Sequence, residues 1–314
     1  MRQVLILAGG LSHERDVSLR SGRRVADALL RGGFEAHVRD VDAGLLAAIE
    51  ATAPDVVWPV LHGATGEDGG LRDVLATLGV ATVGPGAAQC RLTWDKPVAK
   101  ALVAAAGVAA PRGVALSHAA FRELGAPAVL AAVVRSLGLP LSVKPARGGS
   151  ALGLTIVRAA SELPAAMVGA YAYGDIAMIE EFVSGTEVAV SVIEGADGTP
   201  VPLPAVEIVP DGGVYTYDAR YTAGATEFVT PARLTPAVAS ATAETALTAY
   251  RVLGHRHLSR IDLIVDVEGR PWFLEANSSP GMTETSLVPL AVEAAGLDQS
   301  AVYGEIVERA VATS

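Results

Sequence analysis

Several things are scarce in this chain of 314 residues, and each scarcity narrows the reading. There is one cysteine, Cys90, so no internal disulfide can form; this fits a reducing compartment and makes Cys90 a small buried hydrophobe. Charged residues are only 18% of the chain, and acids outnumber bases 34 to 24 for a net charge of −10. Without a basic surplus to neutralise phosphates, a nucleic-acid binder is excluded. A hydrophobic content of 51% with a mean hydropathy of +0.39 excludes intrinsic disorder. Long apolar runs are missing too. The longest, residues 126–143, is broken by Pro127, Arg135 and Pro140 and predicts no membrane span. The opening run Val4-Leu5-Ile6-Leu7-Ala8 is too short for an export signal and stops at Gly9-Gly10. A cytoplasmic protein is the expectation, with neither membrane nor nucleic acid as partner.

Lysine is scarce as well. Against 21 arginines stand Lys96, Lys100 and Lys144. A lysine kept in that background marks a place where a compact ammonium serves better than a guanidinium. By this argument Lys96 and Lys144 are candidates, while Lys100 is expected to be a solvated or capping charge.

Strands alternate with helices over residues 1–94: strands at Val4–Ala8, Phe34–Val38, Asp55–Leu61 and Ala81–Val83, with helices between them. Asp16 or Ser18 is expected to cap the first helix, which runs to about Arg31. This pattern predicts a parallel sheet with ligands at the carboxyl ends of its strands. Residues 95–185 form a second unit: a helix from about Asp95 to Ala106, Ala-rich helical turns to Leu137, and strands at Leu141–Pro145, Leu154–Val157 and Ile176–Val183. Residues 186–314 form a third, with a strand at Val188–Ile193, an irregular stretch from Pro200 to Thr230 and a helix opened by Thr235-Pro236.

The clearest geometric feature is a hairpin. Two strand-like runs, Ser259–Asp266 and Pro271–Asn277, flank a turn centred between Glu268 and Gly269. That register sets Asp262 opposite Glu275 and Arg260 opposite Asn277, about 5 Å apart at Cβ on one face. The alternate positions, Ile261, Leu263, Val265, Trp272, Leu274 and Ala276, form an apolar face. An acidic pair alone reads as a solvated polar strand. With Arg260 and Asn277 on the same face, a divalent cation with nucleotide phosphates becomes the better reading. The turn Arg147–Gly153 follows the strand carrying Lys144; it is either a phosphate cradle or a plain hairpin turn. Glu180, Glu181, Phe182, Val183 and Glu187 could offer a purine edge, an apolar plate and a ribose acceptor.

Taken together these residues resemble the D-alanine–D-alanine ligases of the ATP-grasp superfamily. The matching blocks run in order through Gly9–Leu19, His62-Gly63 to Glu67-Asp68-Gly69, Asp95-Lys96, Val143-Lys144-Pro145 to Gly149-Ser150, Glu180 with Gly185-Thr186-Glu187, Tyr217–Tyr221, Arg260-Ile261-Asp262, and Glu275–Thr283 with Ser286-Leu287. The resemblance implies an α/β (α+β overall) ATP-grasp fold, with an N-terminal parallel-sheet domain and two lobes sandwiching ATP. It implies that Lys96 and Lys144 contact phosphates, Glu180 to Val183 hold adenine, and Glu187 takes the ribose. Asp262, Glu275 and Asn277 would bind Mg²⁺ or Mn²⁺, two ions per site. Glu14 would fix the ammonium of the first of two D-alanines, with Val17, Ser18 and His62 beside it. Arg260 and the Gly281 N–H would stabilise an oxyanion, and Ser286, Leu287 and Arg220 would hold the second D-alanine's carboxylate. Ser150 and Tyr221, hydrogen-bonded to Glu14, would close the segment around 205–225 over the site.

The resemblance also implies a homodimer. Two departures stand out: Arg220 where many relatives have lysine, and Ala151 where many have serine. The alternatives are a ligase joining D-alanine to another D-amino or D-hydroxy acid, and an ATP-binding relative without activity. A Rossmann-type dehydrogenase fails, because the phosphate and metal chemistry lies after the first α/β unit.

Overall fold

In the computed structural model the chain builds three sheets; the structure describes residues 1–222 and 224–314, with Tyr221 described by its backbone alone. In the first, β1 (Gln3–Leu7), β2 (Glu35–Arg39), β3 (Val56–Pro59) and β4 (Ala81–Thr82) run parallel in the order β2-β1-β3-β4. The continuous apolar run of β1 has the reason anticipated for it: Val4 and Ile6 pack on one side, Leu5 and Leu7 on the other. The order reverses between β1 and β3, so the loops leaving them, Gly9–Glu14 and Leu61–Gly63, open at one switch point. One face is closed from far along the chain. Helix Gln299–Ala312 packs Val302, Tyr303, Ile306 and Val307 there, with Tyr303 edge-on to Trp58 at 5.6 Å.

The first helix spans Arg15–Arg31, and neither Asp16 nor Ser18 caps it. Glu14 holds the N-cap position without a side-chain cap bond. Ser18 is fully buried; its hydroxyl accepts the Gly9 N–H at 2.8 Å and donates to the Val60 carbonyl at 2.6 Å. Its role is to tie the loop after β1 to the end of β3.

The second sheet is antiparallel, with β5 (Gly113–Ser117), β6 (Leu141–Pro145), β7 (Thr155–Val157) and β8 (Ile176–Glu181) in the order β5-β8-β6-β7. Strand β5 falls where the Ala-rich composition predicts helical turns. It is an edge strand of half-exposed residues whose extended form comes from pairing with β8, a contact that local pattern does not carry. The third sheet contains β9 (Thr186–Glu194), β10 (Pro200–Pro202), β11 (Val206–Pro210), β12 (Thr226–Val229), β13 (Leu258–Val265) and β14 (Pro271–Asn277). Its order is β12-β11-β9-β13-β14, with β10 also on β9. The stretch from Pro200 to Thr230 is therefore not irregular: it holds three strands and the short helix Tyr217–Tyr221. Helix Lys96–Ala105 packs Ala99 and Val103 into the core of this third sheet, with Val188, Val190, Ile261 and Phe273.

The β13–β14 register holds where the chemistry lies: Arg260 faces Asn277, Ile261 faces Ala276 and Asp262 faces Glu275. A bulge follows, so Leu263 pairs with Phe273 and Ile264 with Trp272. The expected apolar face is changed accordingly. Phe273 takes the buried place, Leu274 turns to the cleft beside Glu275, and the Trp272 indole donates to Asp266 at 2.7 Å. Among the described residues no helix is long and apolar enough to cross a membrane.

Candidate active site

Two cavities meet between the three sheets. The larger, about 820 Å³, lies between the second and third sheets and is lined by Lys144, residues 180–187, Ile208, Ile264 and Leu274. The smaller, about 410 Å³, opens toward the first sheet and is lined by Val17, His62, Glu67, Ser150, Arg260, Asn277, Gly281, Ser286 and Leu287. Glu14, Lys96, Tyr215, Arg220 and Glu275 line both. A ligand in each would meet at those residues. Asp262 lines the larger cavity. Ser18 lines neither, being sealed beneath the loop it holds. The Tyr221 side chain lies outside the described residues.

The glycine-rich turn is tied at its start to helix Lys96–Ala105. Lys96 N–H donates to the Ala146 carbonyl at 3.0 Å, and Arg147 donates to Asp95, the N-cap of helix Lys96–Ala105, at 2.8 and 3.0 Å. Within the turn Ser150 and Ala151 are left-handed, with φ of 53° and 55°, a strained choice for residues with a Cβ. That shape presents the Ser150 hydroxyl to Glu14, to which it donates. Lys96 donates to the Gly148 carbonyl and stands 3.3 Å from Glu275.

Electrostatics sort the carboxylates. Burial disfavours the charge of Glu275, yet Lys96, Lys144, Arg220 and Arg260 together hold its carboxyl well below the usual range. Arg260 chelates Asp262, Nε to Oδ1 and Nη2 to Oδ2, both at 2.7 Å, with both residues buried. Glu180 is buried too, and Lys100 and Lys144 keep it ionised against that burial. Glu187 has weaker support: burial pushes it up to about 7, opposed mainly by Arg220. Burial pushes Glu67 up to about 8, and the charges of Glu14 and Glu275 add to the rise. One Glu67 oxygen accepts the Gly63 N–H at 2.8 Å. His62 is buried and its pKa is lowered by burial, so it is neutral; Nδ1 donates to the Ser279 carbonyl at 3.1 Å. Its Nε2 is buried without a partner among the described residues, a free acceptor in the smaller cavity.

Lys100 is not a solvated charge. It is buried and ion-paired to Glu180, on the same helix face as Lys96 four residues earlier. All three lysines of the chain thus converge on two carboxylates, and the scarcity argument applies to Lys100 as well. Spacing marks neither Glu67 nor Tyr215 for a role, though Glu67 lies inside the stretch His62–Gly69 that carries the family resemblance. Tyr215 carries the Arg220 guanidinium over its ring at 4.1 Å. Gly281 has a plain reason to be glycine: a Cβ there would meet the Ser286 hydroxyl at 2.9 Å.

Comparison with known proteins places the chain in a family. Residues 102–308 match the family model for the D-ala D-ala ligase C-terminus. A D-alanine–D-alanine ligase of Bordetella petrii is 40% identical over 308 residues, covering 98% of this chain and 92% of that protein. One from Gloeobacter violaceus is 39% identical, covering 98% and 99%. Among solved structures, the VanG D-Ala:D-Ser ligase of Enterococcus faecalis aligns with a TM-score of 0.85 at 27% identity, over 98% and 99% of the two chains. The ATP complex of the Bacillus anthracis D-alanine–D-alanine ligase aligns at 0.80 and 25%, over 100% and 98%. The fold is that of the ATP-grasp ligases. With similarity running over nearly the whole length of the chain, it belongs to the D-alanine–D-alanine ligase family.

Proposed function

We propose that the chain joins two molecules of D-alanine into D-alanyl-D-alanine, using ATP, for peptidoglycan precursor synthesis in the cytoplasm. The observation that carries the reading is the shared wall of the two cavities, lined by Glu14, Lys96, Arg220 and Glu275, which would face a nucleotide on one side and amino acids on the other. The larger cavity suits ATP. Residues 180–183 would hold the base, Glu187 the ribose, and Lys96 and Lys144 the phosphates.

In the smaller cavity Glu14 would bind the ammonium of the first D-alanine, with Val17 and His62 beside it. The carboxylate of that D-alanine attacks the γ-phosphorus, ADP leaves, and an acyl phosphate forms. The amine of the second D-alanine, after losing a proton, attacks the carbonyl carbon. The tetrahedral intermediate then expels phosphate and leaves the peptide bond. Arg260 and the Gly281 N–H suit the developing oxyanion, since preorganised donors act strongly where water is excluded. Ser286 and the Leu287 N–H, at the start of helix Leu287–Ala294, suit a carboxylate, as does Arg220. Tyr221 would join Ser150 in closing the segment around 205–225 over the acyl phosphate.

Asp262, Glu275 and Asn277 fit a Mg²⁺ or Mn²⁺ site, two ions per site, in register on one sheet face. Among the described residues no group of three His, Cys, Asp or Glu gathers as a complete ion cage. Two carboxylates and an amide suit a hard cation that takes its remaining ligands from phosphate oxygens and water. When bound, such ions neutralise phosphate charge during transfer. The family resemblance also suggests a homodimer, which light scattering of the purified chain tests.

The deciding assay mixes the protein with ATP, Mg²⁺ and D-alanine and follows phosphate release and product mass. D-alanine-dependent phosphate with a dipeptide product is expected. Its absence would overturn the reading, and a product requiring a different second acid would assign another ligase of the family.

A further inference from the structure

We propose that Lys100 is a positioning residue of the nucleotide cleft, fixing Glu180 so that Lys144 stands as a cation available to phosphate. The inference rests on the reading of the larger cavity as the ATP site. Three side chains form one cluster, with Lys100 and Glu180 buried and Lys144 partly exposed to the cleft: Lys100 Nζ contacts Glu180 Oε1, and Lys144 Nζ contacts Glu180 Oε2 at 2.7 Å. Lys144 and Glu180 line the cavity, whereas Lys100 lines neither cavity and is only 5% exposed. Whatever Lys100 does for a nucleotide, it does through Glu180.

Charge balance says what that is. Within the trio, two ammoniums against one carboxylate leave one net positive charge, and Lys144 is the lysine of the trio that lines the cavity. Without Lys100, both Glu180 oxygens would turn to Lys144 and the pair would be neutral. An anion arriving in the cleft would then meet a lysine already neutralised. Burying Lys100 is costly in itself; burial pulls it down to about 8 while Glu180 opposes the drop. A residue serving only to fill that space would be better apolar, since an isosteric hydrophobe avoids the desolvation cost. The fold places Lys100 there by helical spacing. Lys96, one turn earlier on the same helix, reaches Glu275 in the way that Lys100 reaches Glu180.

The test is a double-mutant cycle on steady-state kinetics with ATP and D-alanine. Lys100→Met is expected to raise KM for ATP about tenfold, with kcat within about threefold and KM for D-alanine unchanged, because the lost charge acts on an anion at the nucleotide cleft. In a Glu180→Gln background, where the carboxylate that ion-pairs with both lysines is gone, the same Lys100→Met change should move KM for ATP by less than about threefold. Equal effects in both backgrounds, or an unchanged KM for ATP in Lys100→Met, would overturn the proposal. So would a uniform loss of kcat and both KM values, the sign of a packing role. If Lys100→Met alone does not fold, the comparison within the Glu180→Gln background still decides, since a large change there refutes action through Glu180. A wild-type protein without D-alanine-dependent phosphate release would instead count against the ligase reading, and so the two failures separate.

Discussion

Ser150 donates its hydroxyl hydrogen to Oε1 of Glu14, joining the glycine-rich turn between β6 and β7 to the start of the first helix 136 positions earlier in the chain. The contact sits where the two cavities meet, and it orients the carboxylate assigned to the first D-alanine's ammonium. Removing a hydrogen bond to a charged group costs about 1.5–3 kcal/mol. Ser150→Ala is therefore expected to raise the first-site KM for D-alanine by about tenfold or more, since 1.4 kcal/mol corresponds to tenfold. Steady-state kinetics resolving the two D-alanine sites check it. A loss confined to ATP affinity would contradict the role given to the contact.

The paired carboxylates of β13 and β14 carry a sharper expectation. Asp262→Asn and Glu275→Gln keep size and one acceptor oxygen while removing the charge a divalent cation requires. Each should lower kcat by ~10²-fold or more, as loss of one electrostatic stabiliser in an active site typically does. Neutral substitutes are preferable to alanine here. Asp262→Ala would leave Arg260 buried without its chelating partner, and such breakage costs about 3–5 kcal/mol of stability. Turnover near wild type in either variant, across a Mg²⁺ titration, would show that the register argument misassigned the ion site.

That register was legible in the sequence because a short turn and an apolar alternate face leave few ways to pair two strands. The bulge after Asp262 was not, since it depends on Phe273 filling the core beneath helix Lys96–Ala105. The pairing of Lys100 is hidden for a related reason. Helical spacing puts it on the face of Lys96, but says nothing of a carboxylate 80 residues later in β8. The strands between Pro200 and Thr230 are hidden likewise, because proline and glycine break the local pattern and the pairing comes from β9 for β10 and β11 and from β11 for β12. What depended on adjacency in sequence could be read, and what depended on a distant partner could not.

Arg220 is the departure most open to experiment. Its guanidinium lies over the Tyr215 ring at 4.1 Å, with Tyr215 edge-on to Phe228, so an aromatic shelf holds it flat. Lysine would lose the planar contact and the fixed two-pronged donor geometry of the guanidinium. Arg220→Lys is expected to change KM for the second D-alanine by about three- to tenfold, the scale of a cation–π contact of 0.5–1 kcal/mol or somewhat more. KM for ATP should stay within about twofold if the main duty of Arg220 is to the second substrate. A larger ATP effect would assign it to the phosphates. Product mass with D-serine or D-lactate offered beside D-alanine shows whether selectivity moves as well.

Glu67 links the site to stability. Burial, with Glu14 and Glu275 nearby, raises its pKa from 4.5 to about 8, so the folded protein prefers it protonated and the unfolded chain does not. The sign follows from linkage: the stability gained from protonated Glu67 is fully present below pH 4.5 and is lost as pH rises through about 8. Glu67→Gln keeps an acceptor for the Gly63 N–H and cannot ionise. Its melting temperature relative to wild type is therefore expected to climb between pH 5 and pH 8.5, by about 2–4 °C for each kcal/mol relieved in a chain of this size. Thermal melts of both proteins across that range check it. A difference that stays flat with pH would mean that Glu67 is already ionised in the folded protein, held by Lys96 more strongly than its burial opposes.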